Sequence, residues 1–182
     1  MLKVTPLSLE GALLIEPVVH GDHRGFFIES YNEKQYHTLG ITNTFIQDNH
    51  SLSQEPGVLR GLHYQLNPKG QSKLVRVLSG VIYDVIVDIR KESRTFGRWE
   101  GVILSEYNKR QLFVPKGFAH GFCTLVPNTP VFYKVDDDYS PEHDRGILWN
   151  DPALGIIWPV SNPILSNKDK CHPVLEYAEL NY

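Results

Sequence analysis

The sequence predicts an all-β domain, an antiparallel sandwich or barrel of jelly-roll type with a few short helices. Three observations predict it. Apolar residues recur with a period of two in short runs, turn residues separate those runs at close intervals, and only one short stretch near the start reads as helix. That stretch spans 32–40: Asn32 can cap it, Glu33 sits in its first turn and Gly40 can end it. The clearest strand is 81–89. Its odd positions are Val, Tyr, Val, Val and Ile, and its even positions include Asp84 and Asp88, so one face is wholly apolar and the other carries two carboxylates. Residues 74–78, 101–104, 111–114 and 131–135 read as strands in the same way. Turns fall at Asn67-Pro68-Lys69-Gly70, Ser79-Gly80, Pro115-Lys116-Gly117 and Pro127-Asn128-Thr129-Pro130. From about Asp151 the chain is richer in Pro and Asn, which predicts loops and short helices that wrap the barrel.

The bulk numbers fit one domain over 1–182. A chain of 182 residues can bury a sizeable core, and 41% apolar with 21% charged residues is ordinary for a globular protein. A net charge of -3 gives no support for nucleic-acid binding, and no run approaches the ~20 apolar residues needed to cross a bilayer. Two distant cysteines, Cys123 and Cys171, make no disulfide framework and no CxxC pair. Free thiols and the absence of a leader-like start predict a cytoplasmic protein.

Eight segments in order carry a family resemblance. They are Asp22-His23-Arg24-Gly25-Phe26-Phe27-Ile28-Glu29, Gln47-Asp48-Asn49-His50-Ser51, Leu59-Arg60-Gly61-Leu62-His63-Tyr64-Gln65, Lys73-Leu74-Val75-Arg76-Val77, the 83–90 strand, Ser93-Arg94-Thr95-Phe96-Gly97, the 114–122 segment and Leu165-Ser166-Asn167-Lys168-Asp169. In spacing and order the chain resembles the dTDP-4-dehydrorhamnose 3,5-epimerase family from about residue 3 to 177. The resemblance implies a cupin-type jelly roll, a homodimer with exchanged strands and shared active sites, and a dTDP-4-keto-deoxysugar as substrate. Pro115 to His120 also looks like the second cupin motif. Metal-binding cupins carry a His-x-His pair in the first motif, whereas His63-Tyr64-Gln65 offers one histidine, so neither metal nor other cofactor is expected.

Inverting a carbon beside a ketone needs a base, a group that stabilises the enolate oxygen, and an acid on the opposite ring face. His63 is the candidate base, since an imidazole is partly neutral at pH 7. A carboxylate must orient it. Asp169 corresponds to the aspartate of the family's His-Asp dyad, and Asp84, mid-strand in an apolar run where it needs a partner, is the alternative. Lys73 shares a strand face with Val75 and Val77 and is the candidate oxyanion stabiliser. Tyr133, on a face with Val131 and Val135, matches the family's acid.

The remaining matched positions would hold the nucleotide sugar. Arg24 and Arg60 suit the diphosphate. Glu29 can accept the N–H of a thymine or uracil ring, Phe27 shares its strand face, and Tyr139 is a further stacking aromatic. Gln47 and Asn49 add polar contacts, His120 lines the sugar pocket, and Lys168 and Lys73 count among the substrate contacts. In the family Arg24 and Glu29 reach the neighbouring subunit's site. Asp144 stands where the family commonly has glutamate, which shortens the reach by one methylene. Three alternatives remain open at this stage: a relative that inverts one carbon only, a non-catalytic cupin sugar-binding module, and a metal-dependent cupin oxygenase or isomerase.

Overall fold

The computed structural model describes residues 2–182. Thirteen strands run through the described residues: β1 (Lys3–Pro6), β2 (Leu13–Glu16), β3 (Val19–Asp22), β4 (Gly25–Ile28), β5 (Gln47–Ser53), β6 (Leu59–Gln65), β7 (Lys73–Val77), β8 (Val81–Asp88), β9 (Trp99–Ser105), β10 (Gln111–Val114), β11 (Phe118–Thr124), β12 (Thr129–Val135) and β13 (Asp144–Gly146). Helix α1 (Glu33–Thr38) precedes β5, and two short 3-10 turns, Asp169–Cys171 and Leu175–Tyr177, lie in the C-terminal tail. The helix begins as expected, with the Asn32 side chain accepting from the Gln35 N–H, but ends two residues before Gly40, which takes a positive φ of 85°.

Strands β1-β2-β10-β7-β12-β5 form a six-stranded sheet and β13-β6-β11-β8-β9 a five-stranded one, while β3 and β4 make a separate ribbon. All ladders between these strands are antiparallel. The chain switches sheets repeatedly, with β6, β8 and β11 in the smaller sheet and β7, β10 and β12 in the larger, which is the winding of a jelly roll. Between the sheets lies an apolar core that includes Val75, Val77, Ile82, Ile86, Leu112, Phe118, Phe122 and Val131.

The parity of β8 has an unexpected result. Its even positions, Ile82, Asp84 and Ile86, belong to the interior side, so the barrel interior receives a carboxylate. Its odd positions, with Val85 and Val87 fully buried, pack in a second cluster with Leu59, Leu62, Tyr64, Leu154 and Trp158. That second cluster joins the outer face of the five-stranded sheet to the C-terminal tail, which contributes Leu154 and Trp158. Both faces of β8 are therefore buried, and the wholly apolar face meets the tail rather than the barrel interior. A third cluster, with Ile15, Tyr36, Ile41, Leu74 and Phe113, seats α1 on the outer face of the six-stranded sheet.

Candidate active site

A cleft of about 420 Å³ draws its walls from both sheets and the tail. Arg60 and His63 come from β6, His120 and Phe122 from β11, Lys73 from β7, Tyr133 from β12, Ser51 from β5, and Ser166, Lys168 and Asp169 from the tail. Arg60 and His63 are three residues apart, which in a regular strand would point them to opposite faces. The register explains why both line the cleft. His120 pairs with His63 and Phe122 with Arg60, so β6 carries one residue more than β11 across this interval. Gly61 absorbs the bulge with a φ of 132°, and a Cβ there would sit 2.5 Å from the Gly121 Cα. No side chain other than hydrogen fits this position.

His63 Nε2 lies 2.6 Å from Asp169 Oδ1. The carboxylate is buried at the first residue of a 3-10 turn, where its own N–H donates to Ser166 Oγ at 3.1 Å. Burial pushes the His63 imidazole below its ordinary value, against the pull of Asp169, which favours the neutral ring. The 34% of the side chain that stays exposed faces the cleft, and a ligand filling the cleft would remove that water as well. Burial would raise the Asp169 carboxyl, but His172, His63 and Ser166 outweigh it and hold it well below the carboxylate range. With Nε2 engaged by Asp169, Nδ1 is the nitrogen left to take a proton.

Asp84 does not orient His63. It is fully buried and its Oδ1 lies 2.7 Å from His120 Nε2 on the neighbouring strand, with which it forms a second, interior histidine–aspartate pair. An unpaired carboxylate at that depth would cost several kcal/mol, and His120 supplies the partner. The charge of Asp84 also acts on Lys73. Burial pushes the Lys73 ammonium down to about 8, and Asp84 and Asp144 oppose that fall. Burial raises the Tyr133 phenol above its usual value, which keeps it protonated and able to donate.

His63, Asp169 and His172 place one ligand atom each within 4.8 Å of one another, a donor set of the kind that can hold a metal. Two ligands of a tetrahedral centre with bonds of about 2.0–2.1 Å stand roughly 3.3 Å apart. His63 Nε2 and Asp169 Oδ1 are at 2.6 Å, in direct hydrogen bond and closer than two ligands of one such ion would stand.

Comparison with known proteins matches residues 6–177 to the family model described as dTDP-4-dehydrorhamnose 3,5-epimerase. The chain belongs to that family. The dTDP-4-dehydrorhamnose 3,5-epimerase of Salmonella typhimurium is 52% identical over 99% of both chains. A crystal structure of the enzyme of that name from Bacillus anthracis, with TDP and PPi bound, is 60% identical, covers 96% of this chain and 99% of its own, and superposes with a TM-score of 0.94. The Legionella pneumophila dTDP-6-deoxy-D-glucose-3,5-epimerase, in complex with dTDP-4-keto-L-rhamnose, is 49% identical with a TM-score of 0.93, covering 97% of this chain and 94% of its own.

The other residues expected from the epimerase family fall into four groups. Arg60, Lys73, His120 and Lys168 line the cleft. Arg60 is held from behind, its Nε donating to Ser53 Oγ at 3.3 Å and its Nη2 to the Leu52 carbonyl at 3.2 Å. Tyr139 and Asp144 line an adjoining cavity that shares His63, Lys73, Tyr133 and Lys168 with the cleft. There the Tyr139 hydroxyl donates to Asp144 at 2.8 Å and Lys168 pairs with the same carboxylate. Gln47 and Asn49 lie on the half-buried face of β5 with Ser51, opposite Val135 and Tyr133.

Arg24, Phe27 and Glu29 are not in the cleft of their own chain. Arg24 pairs with Asp22 at 2.6 Å and Phe27 is 68% exposed on the β3–β4 ribbon. Glu29 accepts from Asn32 and Gln35 beside α1. Sequence reasoning missed Ser51, Ser53, Phe122, Ser166 and His172. Of these only His172 left a signal, a histidine three residues after Asp169, within one turn.

Proposed function

We propose that this chain inverts carbons 3 and 5 of dTDP-4-dehydro-6-deoxy-D-glucose to give dTDP-4-dehydro-L-rhamnose. The observation that carries the reading is the convergence of one carboxylate-held imidazole, one lysine amine and one phenol on a single cleft. His63 takes the proton from the carbon beside the ketone. The C–H electron pair becomes the enolate double bond, and the carbonyl pair moves onto oxygen, where Lys73 stabilises it. Tyr133 returns a proton from the opposite ring face. The ketone is itself the electron sink, so the chemistry calls for no redox or metal cofactor. Arg60 and Lys168 supply positive charge for the diphosphate.

The same reading includes a homodimer in which the β3–β4 ribbon delivers Arg24, Phe27 and Glu29 to the partner's cleft. Its support is the exposure of Phe26 and Phe27, which a lone chain leaves in water. The setting is read as cytoplasmic, in keeping with the unpaired Cys123 and Cys171. No helix among the described residues is long and apolar enough to cross a membrane.

The test is exchange in heavy water, with the 4-keto sugar nucleotide followed by NMR. Deuterium is expected at carbons 3 and 5, and His63→Ala should slow both exchanges by about 10²–10⁴-fold while dTDP binding persists. Label at one carbon would identify a single-inversion enzyme, and no label would leave a binding module. A near-normal rate in His63→Ala would remove His63 as base.

A further inference from the structure

Asp169 serves two histidines. Its Oδ1, hydrogen-bonded to His63, also lies 3.5 Å from Nε2 of His172, the extended residue that closes the Asp169–Cys171 turn. The His172 ring stands edge-on to the His63 ring, at 5.7 Å between centroids and 74° between planes. The ring is seated in a notch that the sequence provides. Gly146 pairs in register with His63, and a Cβ on Gly146 would fall 2.4 Å from the His172 ring. The side chain is 9% exposed, and Nε2 is buried without a close hydrogen-bond partner. Buried polar atoms are normally satisfied, so one aimed at a catalytic carboxylate calls for an explanation.

We infer that His172 is a positioning residue that tunes the His63–Asp169 pair. The inference rests on the reading of His63 as base. An Nε2–H on His172 points its dipole at the shared oxygen and draws off part of the carboxylate charge that would otherwise stabilise the His63 imidazolium. The ring edge also fixes the plane of His63. Apart from Asp169 and His172, the titratable and charged groups that line the two cavities with His63 are Arg60 on β6, Lys73 on β7, His120 on β11, Tyr133 on β12, the tyrosines Tyr64 and Tyr139, and Lys168 with its partner Asp144. Of the histidines in this set, His120 is committed to Asp84, which leaves His172 as the second imidazole acting on Asp169.

The sign follows from the geometry. Removing the donor returns the full carboxylate charge to His63 and makes it more basic, so the acid limb of kcat/KM moves to higher pH. His172→Phe keeps the bulk and loses the donor, and His172→Asn keeps a polar group that stops short of Asp169. Each should raise the acid limb by about half a pH unit, roughly a 3-fold loss of kcat/KM on that limb. His172→Gln can present its amide N–H near the Nε2 position and should restore the wild-type limb. The His63 titration, read by NMR of the labelled imidazole, should move with it. If it moves while the rate profile does not, His172 tunes the pair and His63 is not the base. If the titration is unchanged in both Phe and Asn variants, the inference is overturned, and the Asn variant decides the matter should the Phe variant fail to fold.

Discussion

Burial pushes the Lys73 ammonium down to about 8, and His63 is held below its ordinary value by the same cause. The two groups must be in opposite states, His63 neutral and Lys73 charged. The rate therefore falls as pH drops through the His63 value, below 6.5, and falls again as pH rises past about 8. A bell-shaped profile of kcat/KM is expected, and Lys73→Met should abolish the alkaline limb along with most of the activity. The same lysine carries a stability cost. Unfolded, it binds its proton with a value of 10.5 rather than about 8, so stability rises with pH across that window and the penalty is full below it. Lys73→Met should stabilise the fold at pH 7 by roughly 2 kcal/mol, measured by urea denaturation. His63, Lys73 and Tyr133 were legible because their types match the chemistry and their positions match the family. The partner of Asp84 was not, because His120 is distant in sequence and adjacent only through the β8–β11 ladder.

At the scale of elements, the decisive one is β6, whose extra residue turns Arg60 and His63 to the same side. Gly61 permits it, with a positive φ and with backbone at 2.5 Å where a side chain would begin. Gly61→Ala should lose roughly 3 kcal/mol or more, since backbone rather than a flexible side chain must yield. Chemical denaturation checks it, and kcat/KM should fall further than stability alone explains because His63 moves with the strand. The alternation along β8 was readable from the sequence, and so were the turns. Which face of β8 looked inward was not, because the C-terminal tail gives that strand two apolar surroundings. The four-residue strands β1 to β4 are too short for a period to declare itself.

For the whole molecule, the all-β jelly-roll class follows from the pattern of short runs, whereas the order of strands within each sheet does not, because β2 meets β10 and β7 meets β12 only through pairings distant in sequence. The ribbon of β3 and β4 is different in kind. It pairs with neither main sheet, and it carries Arg24 and Phe27 away from the cleft that His63 occupies. If each cleft is completed by the other subunit, a chain damaged at Arg24 still offers a sound base, and a chain damaged at His63 still offers a sound ribbon. Arg24→Ala and His63→Ala enzymes, each nearly inert alone, should recover activity when unfolded together and refolded as a mixture. Random pairing makes half of the dimers mixed and leaves about a quarter of all clefts whole. In a living cell the same arithmetic becomes genetics: two defective alleles, expressed side by side, would rescue one another, and a carrier of both would pass for healthy.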